Sequence, residues 1–325
     1  MSQLQPKPLR RATLSAWGLV EVSGWLLCAA TIAGFLAWLW WMFELATHFR
    51  LHLAVGLAVL AAVWVVKRRW RMASICGVGA AVNAILVLLV LWPTETTNTK
   101  DGTPLQLVSL NVHTENLRSD LVLKFLQNAD ADVILLMEVN GTWMQALQSL
   151  RTNYTQVIAE PREDNFGIAL FSRLPMTNSE VIELGKAEVP SIATIISVGG
   201  VKVFLLGTHP LPPGSAEYAR QRNEQFHEIA ALINRRKLPT IVMGDLNCTP
   251  WSPYFTALLG DSGLENTSPR RGLFGSWPAW LPFARIPLDH GLVSPNICVI
   301  EKRLGPPVGS DHLPLVLELQ IPPAP

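Results

Sequence analysis

The sequence predicts an α/β fold: a layered domain with a strongly β core, preceded by an α-helical transmembrane region. Three observations carry that expectation. The first hundred residues hold three long apolar segments, residues 94–104 are polar and turn-rich, and from residue 105 short apolar runs alternate with helical stretches. Only 16% of the 325 residues are charged and the mean hydropathy is +0.27, too apolar for a wholly soluble chain.

The apolar excess lies at the N-terminus. "VSGWLLCAATIAGFLAWLWWMF" (22–43) carries no charge and is long enough to cross a hydrocarbon core of about 30 Å as a helix. Residues 49–66, with "LHLAVGLAVLAAVWVV", form a shorter second span, and "MASICGVGAAVNAILVLLVLW" (72–92) a third. A cleavable signal peptide has one apolar core of about 7–15 residues, so it does not account for three. Lys7, Arg10 and Arg11 precede the first span, and Lys67, Arg68, Arg69 and Arg71 fill the turn between the second and third. The positive-inside rule then puts residues 1–20 and the basic turn in the cytoplasm and everything after Trp92 outside, in a multi-pass inner or plasma membrane protein.

"TETTNTKDGTP" (94–104) reads as the linker to a domain spanning 105–320, with a tail at 321–325. Within the domain, "LQLVSLNV" is a strand. "NLRSDLVLKFLQNAD" is a helix with Leu117, Leu121 and Phe125 on one face, and "DVILLMEVN" is a strand ending at Glu138. "FGIALFSRLP" and "ATIISVGGVKVFLLGTHP" are further strands, the second a hairpin turning at Gly199 and Gly200. "SAEYARQRNEQFHEIAALINRRK" is an amphipathic helix with Phe226, Ile229, Ala230 and Ile233 facing inward. "PTIVMGDLNCTP" (239–250) is a strand that ends abruptly, followed by a short helix from about Ser252, a Trp- and Pro-rich loop, and the strands "LDHGLVS", "NICVIEKRL" and "HLPLVLELQ".

Polar residues recur at the ends of these runs: Asn111, Glu138, His209, Asp245 with Asn247, Asp289 with His290, and Asp311 with His312. Alone, Asp245 and Asn247 either open a turn or share a face where a strand leaves the core. Together the set offers carboxylates, amides and imidazoles without cysteine, which suits Mg²⁺ or Mn²⁺ acting on a phosphate ester better than zinc. Cys248 and Cys298 lie in the domain; sequence leaves open whether they pair.

In their order and approximate spacing, "LVSLNV", "VILLMEVN", "NFGIALFSRLP", "GTHP", "IVMGDLNCTP", "PLDHGLVS" and "VGSDHLPLVLEL" resemble the endonuclease/exonuclease/phosphatase superfamily over about residues 104–320. The resemblance implies a four-layer α/β sandwich, two packed β-sheets flanked by helices, with the site at one end of the sheets. It implies that Glu138, Asn111 and Asp311 hold the metal. Asp245 would orient or deprotonate the attacking water, and Asn247 would hold that water or a phosphate oxygen. His209 and His312 would donate to the phosphoryl oxygens, and Asp289 would orient a catalytic imidazole. Asn165 and Arg173 match a family segment near the site, Arg173 equally as a structural ion-pair partner. His113 and His209 stand where abasic-site endonucleases carry aspartate and tyrosine, which argues against that activity. His290, next to Asp289 and facing the other way, is expected to be structural.

The expected activity is membrane-anchored, divalent-metal-dependent hydrolysis of phosphodiesters, on nucleic acid or a phospholipid headgroup, by in-line attack of water. The alternatives are a phosphomonoesterase of the inositol-phosphatase type and an inactive membrane-anchored binding module. Residues 101–325 carry 17 basic and 22 acidic residues, without the basic footprint of a protein gripping long nucleic acid. Phe274, Trp277, Trp280 and Phe283 precede Asp289, either as core or as a contact to the bilayer interface. No protein partner can be deduced.

Overall fold

In a computed structural model, residues 15–92, 102–268 and 272–323 are described; residues 1–14, most of the expected linker (93–101) and the last two tail residues lie outside them. Four helices come first: α1 (Ala16–Ala33), continued by one 3₁₀ turn to Leu36, α2 (Trp41–Thr47), α3 (Arg50–Val66) and α4 (Trp70–Leu91). Ser15 caps α1 by accepting from the Gly18 amide, so the first apolar helix begins six residues before the expected 22. It ends at Leu36, and residues 41–43, expected in the first span, belong to α2. Residues Ala16–Leu36 and Trp70–Leu91 are long and apolar enough to cross a membrane; α2 and α3 pass only as a pair bent by 68°. A polar knot ties three helices together. Arg50 donates to Asn83 Oδ1 at 3.1 Å and to the Thr31 carbonyl at 3.2 Å, and Asn83 donates to Thr31 Oγ1 at 2.8 Å.

The domain is built from β1 (Thr103–Asn111), α5 (Ser119–Ala129), β2 (Val133–Met137), α6 (Gly141–Ala146), β3 (Gln156–Glu160), β4 (Ile168–Ser172), β5 (Met176–Glu183), β6 (Pro190–Val198), β7 (Val201–Thr208), α7 (Ala216–Asn234), β8 (Thr240–Asp245), α8 (Pro253–Ser262), β9 (Glu265–Asn266), β10 (Asp289–Val293), β11 (Cys298–Leu304) and β12 (Leu315–Ile321). The strands form two six-stranded sheets, in the orders β11-β12-β1-β2-β4-β3 and β5-β6-β7-β8-β10-β9. The sheets pack face to face, with α5 and α6 outside the first and α7 and α8 outside the second, which makes four layers.

Side-chain parity explains the layering. On β1, Leu105 and Leu107 join the core between the sheets while Val108 and Leu110 face the helix layer. Ile241 and Met243 of β8 likewise enter the inter-sheet core, and Val242 packs under α7 and α8. β1 and β2 pair in parallel, as do β7 and β8. Both central pairs are buried on two faces, as parallel strands covered by helices usually are. All four cysteines are free, so Cys248 and Cys298 form no disulfide.

Candidate active site

The same parity carries the site. Residues 105, 107, 109 and 111 of β1 share the inter-sheet face, so Asn111 is the last inward residue of its strand. His209, Asp245 and Asp289 continue the inward rows of β7, β8 and β10 in the same way, past the point where apolar packing stops. Asp245 and Asp289 are directly paired across β8 and β10. Glu138 follows Met137 and would face the helix layer if β2 continued. Its φ of +60° breaks the alternation and re-aims it. Asn247 (φ +49°), His113 (+60°) and Asn165 (+68°) are also left-handed non-glycine residues at this end of the sheets. Such strain persists where the surroundings fix it, and it clusters at functional sites. Gly244 is required beside Asp245: a Cβ there would lie 1.9 Å from the Thr208 carbonyl oxygen.

Two linked groups of side chains result. In the first, Asn111 Nδ2 donates to Glu138 Oε1 at 2.8 Å, and the Thr114 amide donates to Glu138 Oε2 at 3.2 Å. Asn111 Oδ1 accepts from the His113 amide at 3.0 Å, so as placed Asn111 orients Glu138. Asp311 accepts from Trp277 Nε1 at 3.0 Å through Oδ2, while its Oδ1 is buried without a hydrogen bond. In the second group, His312 Nδ1 lies 2.8 Å from Asp289 Oδ2, and His312 Nε2 and His209 Nε2 each lie 3.5 Å from Asp245 Oδ2. Asn111 Nδ2, 3.4 Å from the same oxygen, joins the groups. Asp245 Oδ1 accepts from the Asn247 amide, and the Asn247 side chain donates to the Pro210 carbonyl.

The electrostatics follow from burial and pairing. Burial opposes the charged form of His312, but the carboxylates of Asp289 and Asp245 outweigh it and raise the imidazole to about 10. Burial would raise Asp245, yet the adjacent His312 and His209 lower it to about 2. The second group is therefore a buried carboxylate and imidazolium array. His290, on the opposite face of β10, donates from Nε2 to the Cys248 carbonyl at 2.8 Å and packs on Phe255; burial lowers it to about 3, the neutral structural histidine expected. Arg173 pairs with Asp130 at 2.6 Å and lies over the Tyr154 ring, an ion pair of the frame.

A cleft of about 580 Å³ is lined by Glu138, His209, Asp245, Asn247, Asp311 and His312. Asn165 and Trp277 also border it, and so do Leu45, His48 and Phe49 from the N-terminal helices. Asn111 and Asp289 stand behind this lining and hold it. No sequence signal marks Thr114 or Ser276 as supports. Ser276 Oγ, which accepts from the Asp289 amide, lies in a loop whose sequence stands out only for its aromatics and prolines.

A profile of the Endonuclease/Exonuclease/phosphatase family matches residues 108–312. The chain belongs to that family. The solved structures similar to it include a humanized D. rerio TDP2 carrying 14 mutations, at 15% identity and a TM-score of 0.56 over 67% of this chain and 99% of that one. The human Nocturnin catalytic domain with bound sulfate is similar at 23% identity and 0.56, over 67% and 94%. Sphingomyelinase C from Streptomyces griseocarneus is similar at 17% and 0.52, over 66% and 99%. These likenesses show the family's four-layer sandwich; the N-terminal helices fall outside the family match. No curated protein matches the chain by sequence.

Among the described residues, no three His, Cys, Asp or Glu side chains converge into a ready-made metal cage. The donors in the cleft still suit a hard cation that keeps most of its waters: the half-buried Glu138 carboxylate and Asp311 Oδ1, which has no hydrogen bond and only His113 Nδ1 at 3.9 Å, with no thiol nearby.

Proposed function

We propose that the protein is a membrane-anchored, divalent-metal-dependent phosphoesterase that hydrolyses phosphodiesters of lipid headgroups on the outer side of the membrane. The observation that carries this reading is the shared cleft, in which family side chains and the residues between α2 and α3 line one cavity.

Glu138 and Asp311 would hold a magnesium or manganese ion, which would supply positive charge to the phosphoryl oxygens. Asp245, held near 2, is a weak base and a strong acceptor, so its part is to orient the attacking water for in-line approach. Asn247 aids that orientation from the same turn. His312, charged throughout the physiological range through Asp289, and His209 donate to the phosphoryl oxygens as negative charge builds there.

The lipid reading rests on what surrounds the cleft. Trp280 and Phe283 are 72% and 79% exposed, and Trp38 and Trp40, in the break before α2, are exposed as well. His52 Nε2 lies 3.1 Å from the Phe283 carbonyl oxygen, so the aromatic loop and the start of α3 meet. Exposed aromatics beside apolar helices favour the headgroup layer. At the far end of α3 and α4, Trp17 and Trp70 are exposed and Lys67 lies over the Trp17 ring, a second aromatic and basic belt. With Lys67, Arg68, Arg69 and Arg71 at that end, the positive-inside rule supports an outward-facing domain.

The test uses full-length protein in detergent with Mg²⁺ or Mn²⁺, offered mixed micelles of phosphatidylglycerol, phosphatidylcholine and sphingomyelin, plasmid DNA, RNA and inositol phosphates. Headgroup release that disappears in Asp245→Ala is the expected result. Cleavage of DNA or RNA with the lipids untouched would overturn the lipid assignment, and loss of phosphate from inositol phosphates alone would make the protein a phosphomonoesterase.

A further inference from the structure

The short helix α2 leaves the N-terminal bundle and docks on the domain against α7. Its Glu44 and the Arg222 it meets on α7 are both fully buried. Arg222 Nη2 donates to both Glu44 oxygens at 2.7 and 2.6 Å, and Ser252 Oγ donates to Glu44 Oε1 at 2.7 Å. Arg222 Nη1 reaches further, to the Asn247 carbonyl at 3.2 Å, and its Nε and Nη2 bond Asn223 Oδ1. One residue beyond α2, His48 Nδ1 lies 3.0 Å from Thr249 Oγ1. The turn from Asp245 to Ser252 is thus gripped at Asn247, Thr249 and Ser252, in each case by Glu44, by the arginine it neutralises, or by its neighbour His48.

A carboxylate buried in that position is costly to desolvate, and a core of apolar residues would hold a helix on a domain equally well. What the ion pair adds is direction. The planar guanidinium fork fixes where the Asn247 carbonyl sits, and Asn247 is a left-handed residue, a conformation that persists where its surroundings fix it.

We propose that Glu44 is a positioning residue of the active site: through Arg222 and Ser252 it holds the Asn247–Ser252 turn, and with it the Asp245 and Asn247 side chains, so that hydrolysis requires the N-terminal helices to be seated on the domain. The activity readout rests on the phosphoesterase reading; a second readout does not.

Full-length wild type, Glu44→Gln and Arg222→Lys are compared in detergent. Lysine keeps a cation facing Glu44 but lacks the fork that reaches Asn247 and Asn223. With bis(p-nitrophenyl) phosphate and Mg²⁺, both variants are expected to lose about tenfold or more in kcat with KM changed less than about twofold, as for an interaction that orients reacting groups. In hydrogen exchange, peptides covering 246–249 speed up about tenfold while those over β2 keep their wild-type rate. Should either single variant fail to fold, Glu44→Leu combined with Arg222→Met restores a compatible apolar pair and is expected to fold and still lose kcat. Unchanged exchange over 246–249 in the folded variants, or wild-type kcat despite faster exchange, overturns the proposal. A wild type inert toward every phosphoester refutes the enzymatic reading instead, and the exchange comparison alone then decides whether Glu44 holds the turn.

Discussion

The two sheets contribute unlike halves to the cleft. From the first come Glu138 and Asp311, partly exposed oxygen donors, the Asp311 Oδ1 without a hydrogen bond, with Asn111 turned to orient Glu138. The second supplies His209, Asp245 and Asp289, almost wholly buried and paired around His312, which crosses over from the first sheet's last loop. A carboxylate that must exchange water for a cation and substrate needs open valence; groups that orient a water or donate to a transition state need fixed geometry and fixed charge. The division predicts that variants of the first set shift the metal requirement, whereas variants of the second lower turnover at saturating metal.

The sharpest break in that comparison is Glu138→Gln. Loss of the carboxylate is expected to reduce hydrolysis by about 10³-fold at ordinary Mg²⁺ and to raise the half-saturating metal concentration by about 10- to 100-fold, read from metal titrations of the initial rate. Asp245→Asn keeps the shape and removes the charge. Its loss of about 10²- to 10³-fold falls on kcat, with an unchanged metal titration. If Asp245→Asn also shifted the metal titration, the two sets would be one. Asp289→Asn acts through His312, so about 10- to 100-fold in kcat is expected, the range for a residue that orients another. It also frees the His312 imidazole to titrate lower, so the alkaline decline in rate, expected near 10 in the wild type, should move toward neutrality.

Much of this architecture is legible in the sequence, and the exceptions have physical causes. β1, β2, β4, β7, β8 and β10 each carry a buried apolar run, and the polar residues at the ends of these runs stand out against that background. β3 and β5 escape a sequence reading because they are edge strands with half-exposed, mixed-polarity sequences that carry no clean alternation. Parity explains Asn111 and Asp245 but not Glu138, whose direction comes from a left-handed residue that no pattern announces. The limits of the first apolar helix are hidden because 22–43 carries no charge; hydropathy does not register the break at residues 37–40 or a glutamate whose partner lies 178 positions away. Arg222 looks like one more polar residue of an amphipathic helix, although it is completely buried.

Outside the proposed catalytic array, His290 provides a smaller and independent check on the inward and outward faces of β10. Its folded value of about 3 lies below the unfolded 6.5, so between those limits the unfolded chain binds a proton that the native protein does not. Stability must therefore rise with pH across this window and fall as acid is added, with a contribution to the slope of up to about 1.4 kcal/mol per pH unit. In His290→Gln, which is long enough to keep a donor near the Cys248 carbonyl, that contribution disappears. Denaturant midpoints for the domain's unfolding, taken from about pH 7 to pH 4 in wild type and variant, should draw together as pH falls, since only the wild type carries the extra slope. If the two lines stay parallel, His290 is protonated in the native state, and the outward face of β10 is more open to water than its packing against Phe255 implies.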